Sequence, residues 1–179
     1  EEIERVLRRV TERLKELERH SEEVLREVER LVKEDEDLAR EVVKRVEELI
    51  RTLRELKKRG DAREKVLKEV KETVKKLLDE LEEHTRRVKE KVERLNRDNE
   101  RVVRELRKEV EELLDELRKR GVDRRVLEEV REVVDRAEKK IKELDDRSRE
   151  VLKEVEKRSR DIIREIEEKL KDVEERVKD

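Results

Sequence analysis

The chain has 179 residues, 61% of them Asp, Glu, Lys or Arg and 31% hydrophobic, with no Phe, Trp, Tyr, Met, Cys or Pro and only two Gly. Its 54 basic and 56 acidic residues leave a formal charge of −2. The signs alternate finely, so there is no basic face for phosphate and no aromatic platform for bases; nucleic acid is not an expected partner.

The lack of cysteine excludes disulfides, thiolate chemistry and cysteine-based zinc sites. No apolar run approaches the roughly 20 residues needed to cross a bilayer, so a soluble chain with no membrane partner is expected, with no targeting signal in it. A charge content this high ordinarily accompanies disorder. Here, however, the residues are overwhelmingly helix-forming Glu, Lys, Arg and Leu, and periodicity decides in favour of helix.

The first segment carries an apolar seam at alternating steps of three and four, through Val10, Leu14, Leu17, Ser21, Val24 and Val28 to Asp35, Leu38 and Val42. Neither KEDED at 33–37 nor LNRDN at 95–99 contains Gly or Pro, and the seam keeps its phase through both, so both read as helix. The segment ends at LRELKKRGDAREKV, where Gly60 follows a basic run as a C-terminal cap and Asp61 follows as an N-cap, with Glu64 three residues on in capping-box position. Arg59-Gly60-Asp61 also spells the tripeptide that integrins recognise; capping chemistry accounts for it fully.

The second segment continues through Val74, Leu77 and Leu81 and then reads LEEHTRRV, residues 81–88, which places His84 where spacing calls for an aliphatic residue. It ends at a sister turn, LDELRKRGVDRRVLEEV, with Gly121 as cap and Asp123 as N-cap; the inserted Val122 destroys the tripeptide. The third segment repeats the seam with Ser148 and Ser159 as interruptions.

This pattern predicts an all-α protein: a single-chain antiparallel three-helix coiled-coil bundle. It forms one domain over 1–179, with helices at 2–59, 62–120 and 123–178 and turns at Gly60 and Gly121. Helices of about 58 residues would give a rod of roughly 85 Å at about 1.5 Å per residue.

Antiparallel folding also assigns heights. Partners sum to about 121 across the first turn and about 242 across the second. The polar interruptions then gather into two layers: Asp35, His84 with Thr85, and Ser159; and His20, Ser21, Asn96, Asn99 and Ser148. An unpaired polar group in a core costs roughly 1–3 kcal/mol, so these residues are expected to bond to one another. Because a slipped helix would separate them, they also specify register.

Asp, His and Ser at one height is also the composition of a hydrolase triad. Catalysis would need an exposed serine, a pocket and free backbone N–H donors, and mid-helix N–H groups are already bonded. No enzyme activity, cofactor or metal is expected; His20 and His84 lie too far apart in height to share an ion. Histidine near neutrality makes pH-dependent stability a second reading, with melts on either side of the histidine range as its test.

The segments LEEHTRRV, LNRDNERVV and DDRSREVLKEV, the near-duplicate turns KRGDAR and KRGVDR, and the aromatic-free Leu/Val/Ile seams together resemble a de novo designed helical bundle with buried hydrogen-bond networks. The resemblance implies antiparallel coiled-coil packing, high thermal stability and no natural substrate. A spectrin-like repeat, the natural alternative, typically has a core tryptophan, and this chain has none. The expected role is a structural scaffold, monomeric and requiring no partner. The alternative is a binding module or oligomer component that offers a groove to a further helix.

Overall fold

The computed structural model describes residues 2–56 and 63–178. They form three helices: α1 (Glu2–Leu56), α2 (Arg63–Lys119) and α3 (Arg124–Lys178). At 55, 57 and 55 residues, each runs unbroken through the charged stretches. Nothing in these stretches supplies a stop signal: proline is absent, and the apolar stripe continues on one face. The turn at Gly60 and Asp61, with the tripeptide it contains, lies outside the described residues.

The second turn is built as its sequence suggests. Gly121 adopts φ of 75°, the left-handed region that its missing Cβ makes cheap. Its N–H donates to the Arg118 carbonyl at 3.2 Å, and the Val122 N–H donates to Leu117 at 3.3 Å. This pairing is the Schellman motif, which satisfies two of the carbonyls that α2 would otherwise leave open. Val122 packs against the same core as Leu117, supplying the apolar contact that accompanies the motif. Asp123 stands at the N-cap of α3, where its main-chain carbonyl accepts the N–H groups of Val126 (3.0 Å) and Leu127 (3.2 Å).

The chain divides into two compact units, each drawing on all three helices: Glu1–Glu29 with Lys91–Glu150, and Arg30–Glu90 with Val151–Asp179. In the first unit, Val6, Val10, Leu14 and Leu17 of α1 pack with Val110, Leu113 and Leu117 of α2 and with Ala137 and Ile141 of α3. In the second, Val42, Val46, Ile50 and Leu53 meet Val70, Val74, Leu77 and Leu81, closed by Ile166 and Val173.

Several seam positions differ from the sequence reading, among them three of one kind. Ala39 is buried and Leu38 half-buried, Leu152 is buried and Val151 half-buried, and Thr85 rather than His84 holds the core place between Leu81 and Val88. In each case a step of four replaces a step of three. Spacing alone tolerates either choice, and only the direction of the neighbouring helix selects one. The first turns of α3 are the least covered: Leu127, Val130 and Val134 are half-buried, and Val133 is 48% exposed.

Ion pairs join the helices along the edges of both units. Arg13–Glu109 (3.2 Å) links α1 to α2, Arg107–Glu138 (2.9 Å) links α2 to α3, and Lys140 reaches both Glu18 and Glu22 of α1 at 3.5 Å. In the second unit, Arg158–Glu36 (3.7 Å), Lys89–Glu156 (3.6 Å) and Lys71–Glu174 play the same part. Pairs this exposed contribute on the order of 0–1 kcal/mol each, so packing carries the stability.

Candidate functional site

The second unit holds one polar cluster. Asp35 is 1% exposed, and the His84 Nδ1–H donates to its Oδ1 at 2.6 Å. The Thr85 hydroxyl donates to the same carboxylate, 3.0 Å from Oδ1 and 2.9 Å from Oδ2. A hydroxyl has one proton, already directed at Asp35, so the 3.1 Å bond between Thr85 and Ser159 has Ser159 as donor. One residue from α1, two from α2 and one from α3 therefore form a connected chain centred on a buried carboxylate.

The first unit holds the other. His20 Nδ1 lies 2.7 Å from Asn99 Oδ1, and Asn99 Nδ2 donates to Ser21 Oγ at 3.5 Å. Separately, the Ser148 hydroxyl donates to Asn96 Oδ1 at 3.1 Å. The five residues expected in one layer thus form two bonded groups, a trio between α1 and α2 and a pair between α2 and α3. Asn96 and Asn99 sit three residues apart, nearly a turn of helix, so each amide addresses a different neighbour.

A common local device underlies both clusters. His20-Ser21 and His84-Thr85 each set an imidazole just before a small hydroxyl residue; the hydroxyl is buried and the imidazole only half-buried. The expectation of buried histidines is corrected accordingly: the His84 ring is 33% exposed, and it reaches inward only with Nδ1. A ring on the core position itself would bury both nitrogens, one of them without a partner, whereas at the edge it bonds inward and stays partly wet.

Every polar residue buried in the described part (Ser21, Asp35, Thr85, Asn96, Asn99, Ser148 and Ser159) has its partner on another helix. One polar atom that sequence reasoning missed stands apart: Asp145 Oδ1 on α3 is buried without a hydrogen bond. Loss of hydration raises the Asp145 carboxyl from its ordinary value; Arg149, 3.4 Å from Oδ2, opposes this in part, and Glu100 and Asp146 push the same way as burial. Its seam-edge position beside Leu144 was the only signal, and Asp146 next to it looks no different in sequence.

No serine–histidine relay forms. Ser159 is bonded to Thr85, and the carboxylate lies between that hydroxyl and the imidazole. Among the described residues no cluster of three or more His, Cys, Asp or Glu has the arrangement to hold a metal ion. No described helix is long and apolar enough to cross a membrane.

No protein-family model and no curated protein sequence matches the chain. Among solved structures it is similar to one described as a computationally designed three helix bundle, at 23% identity over 98% of this chain and 85% of that chain, with a TM-score of 0.34.

Proposed function

We propose that the chain is a designed structural scaffold with no natural biochemical activity, a monomeric three-helix bundle whose polar clusters specify helix register. The observation that carries this reading is that each of the seven fully buried polar residues described bonds to a residue of another helix. Each such group, misaligned by a turn, would be left without its partner in an apolar layer, at roughly 1–3 kcal/mol apiece. Uniform aliphatic seams lack that penalty, so the polar positions separate the correct alignment from its competitors.

The test is to replace Asp35, Thr85 and Ser159 together with Leu, Val and Ala. Helicity should persist and stability should rise by on the order of 1–4 kcal/mol, as for other buried polar groups exchanged for packed apolar ones. Amide resonances should at the same time multiply as registers compete. A single sharp set of resonances in the variant would refute the register role. Light scattering should return 22.0 kDa for the parent chain.

A second reading is an oligomer component, and one feature favours it. In the first unit a groove of about 470 Å³ is lined by aliphatic residues of all three helices, Leu14, Leu114 and Val134 among them, and by as many charged ones, such as Arg107 and Glu111. A clean multiple of the monomer mass would select this reading over the first.

A further inference from the structure

We propose that His84 is a nucleophilic imidazole, reactive toward activated acyl esters, and that Asp35 beneath it sets that reactivity. The tautomer follows from the hydrogen bond. With Asp35 Oδ1 at 2.6 Å from Nδ1, the ring proton of a neutral imidazole sits on Nδ1, and the lone pair is left on Nε2. Nε2 has no hydrogen-bond partner among the described residues and is not among the buried unpaired atoms, so it opens to solvent from a ring that is 33% exposed.

The carboxylate cannot turn away. It is 1% exposed, and the Thr85 hydroxyl holds both of its oxygens. A ring of fixed tautomer, fixed orientation and open Nε2, backed by a buried negative charge, is the arrangement that makes imidazole an effective nucleophile.

The reaction balances with water alone. The Nε2 lone pair adds to the ester carbonyl carbon, and the bond from that carbon to the aryl oxygen breaks, releasing the phenolate with its electron pair. The positive charge that develops on the ring is stabilised by Asp35 across the Nδ1–H bond. Water adds to the acyl carbon of the acyl-imidazolium and gives up one proton to solvent, and the carbon–nitrogen bond breaks with its electron pair returning to Nε2, the Nδ1–H staying hydrogen-bonded to Asp35 throughout. The carboxylic acid leaves and the neutral imidazole is restored.

The molecule carries its own control. His20 presents the same geometry, Nδ1 at 2.7 Å from an oxygen, but that oxygen belongs to the neutral amide of Asn99. Both rings are half-exposed, so the two sites differ chiefly by one negative charge. His84 is the nucleophile in this account, and Asp35 is a positioning residue that acts through it.

The experiment is turnover of p-nitrophenyl acetate by the full chain on the alkaline side of the ordinary histidine range. Ester is kept in excess, so that one-time acylation of lysines is complete before rates are read. His84→Ala should remove most of the turnover and His20→Ala little. Asp35→Asn keeps an acceptor for Nδ1–H and should lower the rate about fivefold, the worth of exchanging a charge-assisted hydrogen bond for a neutral one.

Asn99→Asp, made in the otherwise unaltered chain, should add a second reactive ring at His20 and raise the total. A merely structural role for Asp35 would not produce that gain. Equal losses from the two histidine variants, or an unchanged rate in both Asp35→Asn and Asn99→Asp, would overturn the proposal. Should His84→Ala lose helicity, the two acceptor exchanges still decide it.

Discussion

Truncating His84 to alanine removes one of the two side chains that bond the Asp35 carboxylate, while the carboxylate stays where water scarcely reaches it. The expected cost is about 1–3 kcal/mol, the penalty for a buried acceptor that loses a donor, read as a lower denaturant midpoint. An unchanged midpoint would mean that water takes the place of the ring. Asp145 presents the reverse case. Its carboxyl lies above the ordinary value of 3.8 because burial disfavours the charged form, so the folded chain holds that proton more tightly than the unfolded one. The stabilising contribution is therefore fully present below the ordinary carboxylate range and is lost as pH rises through the folded value. Asp145→Asn should be more stable than the parent at neutral pH, with the difference shrinking as pH falls toward about 3, below the unperturbed carboxylate. Paired chemical melts across that range check the sign.

At the scale of the element, the α2–α3 turn isolates a backbone effect. A Cβ built on Gly121 meets nothing within 4 Å, so Gly121→Ala introduces no clash. What remains is the left-handed conformation itself, and the variant should lose about 1–2 kcal/mol. Gly121→Asn should lose less, because its short polar side chain tolerates that region. Equal losses would indicate that the turn rearranges. Helix identity was legible from composition and period because no proline or glycine interrupts any of the three helices. The two His-hydroxyl pairs were harder to place. His84 and Thr85 are neighbours in sequence, the spacing from Leu81 to Val88 accommodates either, and only the position of α1 and α3 turned Thr85 inward.

At the scale of the molecule, each unit keeps its own aliphatic core and its own polar cluster. Local openings should therefore be separable. Amide exchange on His84→Ala is expected to accelerate chiefly within Arg30–Glu90 and Val151–Asp179, and on His20→Ala within Glu1–Glu29 and Lys91–Glu150. Uniform acceleration in either variant would show that opening is global.

The amino-acid order by itself determined that the chain is helical, where its second turn falls, and which polar residues share a height, because these depend on period, capping and chain direction, all local or counted along the backbone. Tertiary structure alone decided which atoms bond. It set Thr85 in the core and left the imidazoles at the edge, divided Asn96 from Asn99, and stranded one oxygen of Asp145. Those outcomes turn on a fraction of a helical turn and on the reach of individual side chains, which a three-and-four spacing does not resolve.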